Sequence, residues 1–254
     1  EKALDERLIT LKEEDIINLD LTGSWRPLEL ALMRYHDSGE DSAITIRNDF
    51  SDPEKIYPSV FFRGEEGFED WELIALGRCG QRVLDVGAGV GAHGLVLQNR
   101  GHQVTSLELL PGAVRIMKDR GVKDTRVGRL EDLSDNDLDY DTILLLMNGS
   151  MLAGTTVGLE HLLRSCLSRT TEDGVIIMDS TDLRLVGDLD EQVNQEFVGE
   201  LHYQLEFEDQ VGEVFPQLFI DPELLAKVSG DLDLLTDVIW QGDQGHYLAE
   251  LKRG

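Results

Sequence analysis

The sequence predicts an α/β fold built on a doubly wound, mostly parallel sheet, and three observations carry that expectation. Residues Arg82 to Glu108 read as strand, glycine turn, helix, strand and acid, a βαβ unit of the nucleotide-binding kind. Thr142 to Met147 (TILLLM) is an unbroken apolar run, as expected of a central strand covered on both faces. Around and after them, helical and extended patterns alternate, as parallel strands joined by crossover helices require. A chain of 254 residues buries about three quarters of its unfolded surface, so one large domain with an appendage needs no disulfide or metal staple.

Within the βαβ unit, Val83-Leu84-Asp85-Val86 opens as a buried strand, and Gly87, Gly89 and Gly91 then alternate with Ala88 and Val90. Ala92 to Arg100 follows as a helix stopped by Gly101, and Gln103 to Leu107 is a second strand ending on Glu108. Glycines let the turn tighten and bring bare N–H groups against a ligand beside a helix N-terminus. An acid closing the second strand can accept hydrogen bonds from ribose hydroxyls. Taken as G-x-G-x-x-A (Gly87, Gly89, Ala92), the loop also fits a dinucleotide fingerprint, and glycines serving the backbone alone are the plain alternative. Asp85 argues against a pyrophosphate, because a carboxylate two residues before the first glycine suits a cationic amino-acid moiety instead.

With Gly91 the string becomes D-x-G-x-G-x-G, which resembles motif I of the class I S-adenosylmethionine (SAM)-dependent methyltransferases. The resemblance spans about Tyr57 to Leu251 and implies a Rossmann-like methyltransferase fold, with a seven-stranded sheet that ends in an antiparallel pair. It implies SAM as cofactor, with Asp85, Gly87, Ala88, Gly89 and Gly91 around the methionyl part, and with Glu108 on the ribose beside Leu109. His93 falls near the cofactor carboxylate. Family members often place an aspartate after the third strand to hold adenine; Arg129 occupies that position here, so Glu131 is the substitute, with Leu130 packing on the ring. Met147 and Asn148 close the list at the carboxyl end of the fourth strand.

Acids outnumber bases 50 to 23, a net charge of −27. Such a surface repels nucleic-acid phosphates and anionic lipid, and no basic patch offsets it, so neither nucleic acid nor membrane is an expected partner. An acidic surface also suits a saline environment. Cys79 and Cys166 are far apart and lack metal-ligand spacing, which makes them buried thiols of a reducing compartment. No apolar run is long enough to span a membrane and EKALDERLIT has no signal-peptide core, so a cytoplasmic location is expected.

In order along the chain, residues 1–56 are expected to form a helical cap segment on a main domain of residues 57–254. Leu4, Leu8 and Leu11, then Leu28, Leu30, Ala31, Leu32 and Met33, give helical stripes broken at Trp25-Arg26-Pro27, and Ala43 to Arg47 alternates like a strand. Phe61 and Trp71 read as core, whereas Tyr57 and Phe62 are candidates to face the cofactor's sulfonium. Pro111 starts a helix that Gly121 ends, and Thr125 to Val127 is a short third strand. The acidic run Glu131 to Asp141 is expected to be a solvated loop without the spacing of a calcium loop. Val157 to Arg169 is a helix whose His161 is a surface or packing residue, and Gly174 to Met178 is a fifth strand. A hairpin inserted at about residues 200–220 is a plausible lid over substrate, with Tyr203, Leu205 and Phe207 alternating in its first strand. A helix at Pro222 to Val228 and strands at Leu234 to Trp240 and His246 to Leu251 complete the fold.

No triad or metal cluster is visible, and none is expected for methyl transfer, in which the enzyme's work is to align donor and acceptor and exclude water. Asn148, Asp179 and Asp182, at the carboxyl edge of the sheet, are the catalytic candidates; each also fits a turn or cap. A small-molecule acceptor is expected. The competing functions are a nicotinamide-dependent oxidoreductase and a SAM-binding module without turnover.

Overall fold

The computed structural model describes residues 21–134, 139–186 and 199–254. The leucine stripe over Leu4, Leu8 and Leu11 and the middle of the acidic run lie outside these residues. Among the described residues, the first helix, α1 (Thr22–Ser38), runs through Pro27 instead of breaking there. Gly23 stands four residues before the proline, where the ring would crowd a carbonyl, and glycine backbone yields most readily. The helix ends at Gly39, left-handed at φ 76°, whose N–H reaches the Tyr35 carbonyl at 2.8 Å.

A small antiparallel sheet follows from β1 (Ile44–Asn48) and β2 (Glu54–Ile56). The central sheet then takes up α2 (Asp70–Gly77), β3 (Arg82–Val86), α3 (Ala92–Asn99), β4 (Gln103–Glu108), α4 (Pro111–Asp119), β5 (Asp124–Val127), β6 (Tyr140–Leu145), α5 (Thr156–Leu167) and β7 (Thr170–Thr181). Next come β8 (Glu200–Phe207), β9 (Gln210–Val211) and β10 (Phe215–Leu218), then α6 (Pro222–Gly230), β11 (Leu234–Gln241) and β12 (His246–Arg253). The large sheet has the order β11-β12-β7-β6-β3-β4-β5. Its first five strands in sequence are parallel, and β12 joins antiparallel to both β7 and β11. The expected seven strands with an antiparallel end are therefore present, and β7 is longer than the predicted Gly174 to Met178.

Period-two alternation divides the sheet's two faces. Leu84, Ile143, Leu145, Ile176 and Met178 face one way and pack with α5 and α6, while Val83, Leu144 and Ile177 face the other and pack with α2 and α3. Burial at about 25 cal/mol per Å2 of apolar surface is what holds these layers together. The chain enters at β3, winds outward through β4 and β5, and returns through β6 on the opposite side. The crevice outside the carboxyl ends of β3 and β6 is thus the topological switch point, where open α/β sheets bind ligands.

The predicted hairpin is β8 with β10, paired Phe215 to Tyr203 and Leu218 to Glu200. It does not stand alone. β8 also pairs with β1, setting Ile46 opposite Leu205, so the second sheet runs β10-β8-β1-β2. Ile44, Leu205, Phe207 and Phe215 share a core with Leu28, Ala31 and Leu32 of α1. The N-terminal segment and the hairpin, far apart in sequence, form one roof. Glu29 fastens it to α4, which flanks the large sheet, by accepting from the Gly112 N–H at 2.6 Å.

Candidate active site

A cavity of about 670 Å3 opens at the switch point. Its floor is the glycine loop after β3. Gly87, Gly89 and Gly91 all have positive φ, at 71°, 55° and 80°, where L side chains are disfavoured. The Gly87 and Ala88 amides donate to the Leu107 carbonyl at 2.9 and 3.0 Å, and the Gly89 amide donates to Glu108 Oε2 at 2.8 Å. Glu108 Oε1 accepts from Leu110 at 3.0 Å, which uses one site on each oxygen and leaves lone pairs for further donors. Burial pushes Glu108 up to about 7, although the Leu110, Gly89 and Leu109 amides pull it down.

Asp85 sits at the end of β3, 2% exposed, opposite Ser106 in register. Burial raises its pKa, and His93 and the Gly94 amide lower it. Its Oδ2 has no hydrogen-bond partner among the described residues. A buried carboxylate with an orphaned oxygen is complementary to an ammonium group. Beside it stands a charged cluster. Glu72 of α2, fully buried, meets His93 Nε2 at 2.8 Å and takes a bidentate pair from Arg63 at 3.0 Å to each oxygen. Burial pushes Glu72 up, but its bonds to His93 and the Glu69 amide and the charge of Arg63 outweigh that and leave it below its ordinary value.

On the β6 side, Met147 and Asn148 hold consecutive left-handed conformations at φ 70° and 57°. For two non-glycine residues this is strained backbone, maintained by what lies beneath it. Asp179 supplies the support. At 1% exposure it accepts from the Asn148 amide at 2.7 Å and the Gly149 amide at 3.2 Å, and meets His246 Nε2 at 2.8 Å. Asn148 Oδ1 accepts from the Thr181 hydroxyl at 2.8 Å.

The cavity lining brings together Asp85, Gly87, Ala88, Gly89, His93 and Glu108, and also Leu109, Leu130, Glu131, Met147 and Asn148. Gly91 stands outside that lining, at the head of α3, where a β-carbon would meet Val122 and Met117. Asp179 is below the surface of the site, and Asp182 is turned into a fork with Arg184 at 2.7 and 2.8 Å. Of the aromatic residues, Phe61 reaches the cavity; Phe62 packs on Tyr35 and Arg120, and Tyr57 is exposed. Trp71 is core, as expected. His161 lines the cavity, and Glu131 accepts from Ser165 of the same helix at 3.2 Å. Sequence reasoning missed Arg63, Glu72, Trp25 and Gln217. A carboxylate on the buried side of WELIAL and a lone amide within FPQLFI were the available signals, since isolated polar groups in apolar runs must find partners.

A seven-stranded sheet of this order, with a glycine loop at its switch point, an acid in the first strand and another ending the second, defines the class I methyltransferase architecture. Comparisons agree. No family model matches the chain, and no curated protein matches it by sequence. A SAM-dependent methyltransferase from Bacteroides fragilis, solved in complex with S-adenosyl-L-homocysteine, is 31% identical, covering 93% of this chain and 97% of its own, with a TM-score of 0.83. The CcbJ methyltransferase from Streptomyces caelestis shares the fold at 13% identity and a TM-score of 0.58, covering 77% of this chain and 95% of its own. A SAM-dependent methyltransferase from Clostridium acetobutylicum ATCC 824 does so at 13% identity and 0.54, covering 72% and 91%. The chain belongs to the class I SAM-dependent methyltransferase family.

Proposed function

We propose that this protein transfers the methyl group of SAM to a nucleophile on a small molecule. The single observation that carries the cofactor assignment is the orphaned Oδ2 of buried Asp85, beside bare glycine backbone and one strand away from Glu108. A methionyl ammonium supplies the donor and countercharge that Asp85 Oδ2 lacks, and ribose hydroxyls supply donors to Glu108. His93, braced by Glu72 and Arg63, is suited to the methionyl carboxylate, while Leu109 and Leu130 offer apolar faces to adenine. Glu131 stands near the adenine edge as the substitute acid.

SAM supplies a methyl group made electrophilic by its sulfonium. The protein's residues bind, orient and exclude water. Asn148 faces the reacting region, and Asp179 acts as a positioning residue through the Met147–Asn148 turn it supports. Asp182 serves as the cap of residues 183–185. A roofed cavity of about 670 Å3 and a surface of charge −27 support a small molecule over nucleic acid. Among the described residues, no helix is long and apolar enough to cross a membrane.

Calorimetry tests this. The expected result is that S-adenosylhomocysteine binds and NAD does not, the former adding about 2.7 kcal/mol of stability at a hundredfold excess over its Kd. Stabilisation by NADH alone would return the loop to the dinucleotide class. Release of S-adenosylhomocysteine on incubation of SAM with a metabolite panel separates an enzyme from a silent binding module.

A further inference from the structure

Part of the cavity lining is given no role by the cofactor assignment above. It comprises Leu21, Trp25 and Leu28 of the α1 region, Met151, and Pro216 and Gln217 of β10. Gln217 is the polar exception in a strand whose four residues are all buried. It is 2% exposed, and its Nε2 donates to the Pro216 carbonyl at 2.9 Å, the contact by which the two ends of the amide are assigned. Its Oε1 is buried with no partner among the described residues. A carbonyl oxygen is withdrawn from water and unmatched unless a bound donor meets it.

The lining charges have partners of their own. Arg63 and His93 bond to Glu72, with Arg63 also 3.7 Å from Met147 Sδ, and Glu108 accepts from the Gly89 amide. Arg129, Glu131 and Asp132 belong to the turn over residues 129–132, and His161 is one helical turn from Ser165, the partner of Glu131. Leu21, Trp25, Leu28, Met151, Pro216 and Gln217 themselves offer hydrocarbon, thioether and amide only. None of these six side chains supplies a cation to an anionic acceptor or a base to a hydroxyl.

We propose that this part of the cavity receives an uncharged amine carried on an apolar body, with Gln217 Oε1 accepting one N–H and leaving the nitrogen lone pair free for the methyl group. This rests on the methyl-transfer assignment above. The N–C bond forms from the lone pair while the C–S bond breaks, its electrons returning to sulfur as S-adenosylhomocysteine. The free ammonium gives its proton to solvent on entering the site and the product leaves as a methylammonium, so no protein base is consumed.

The experiment uses two matched sets at mildly alkaline pH: tryptamine, tryptophol and tryptophan, and phenethylamine, 2-phenylethanol and phenylalanine. Turnover is followed by S-adenosylhomocysteine release, and binding by calorimetry on the S-adenosylhomocysteine complex. The amines are methylated and bind; the alcohols are not turned over; the amino acids do neither. Gln217→Leu lowers amine kcat/KM about tenfold while S-adenosylhomocysteine affinity and Tm hold. Turnover of the alcohols or amino acids, failure of both amines to bind, or an unchanged kcat/KM in Gln217→Leu overturns the proposal. Loss of the methyl-transfer assignment itself would show separately, as absent SAM binding in the unaltered protein.

Discussion

A β-carbon on Gly89 meets nothing within 4 Å, whereas one on Gly91 runs into Val122 Cγ2 at 2.8 Å and Met117 Cγ at 3.0 Å. The same left-handed backbone therefore serves two ends. Gly89→Val puts its branches into the cavity, so S-adenosylhomocysteine binding is lost in calorimetry while the fold persists. Gly91→Val instead lowers Tm, because its side chain must displace the packing of α4. Glu108 gives a pH signature. Burial raises it from 4.5 to about 7 in the free protein, so it is largely protonated below 7. Ribose hydroxyls favour the charged form, so cofactor affinity climbs as pH rises through 7 and binding releases a proton. The same raised pKa contributes stability to the free protein below 4.5 that is lost as pH rises through 7. Glu108→Ala costs about 1–3 kcal/mol of cofactor affinity and flattens the affinity profile, and Asp85→Ala weakens binding strongly. A flat profile in the parent protein would remove Glu108 from the ribose. Asp85, Gly87 and Glu108 were legible because spacing alone brings them together. Gln217 and Glu72 were not, since their partners come from other elements.

Among the elements, the strained turn after β6 depends on a strand that follows it by some thirty residues. Asp179→Ala leaves two amides unmet, at about 1–3 kcal/mol each, and should lower both Tm and kcat while cofactor affinity changes little. If kcat holds while Tm falls, the turn has no positioning role. Glu72→Ala strands Arg63 and His93 and falls at the low end of about 3–5 kcal/mol, as Arg63 keeps some solvent; denaturant midpoints measure it. The helices and parallel strands were readable because their apolar periods are local. Pro27 was misjudged as a break, since the sequence does not say whether a glycine four residues earlier can yield. The pairing of β1 with β8 was equally hidden, because a strand's alternation names its buried face and not its neighbour.

For the molecule as a whole, a charge of −27 opposes compaction through self-repulsion, which salt screens. Tm should therefore rise between 50 mM and 1 M sodium chloride; a constant Tm would mean that the acids are already neutralised by local pairing. The roof has a temporal corollary. Its β1 and β8 are separated by most of the chain, so a nascent polypeptide builds the glycine loop and α1 long before β8 and β10 complete the roof. Contacts of such separation form late and slowly. Newly made protein should thus pass through a stage in which the donor nucleoside can dock yet remains wetted by bulk water, and only the arrival of β8 and β10 completes the roof over it.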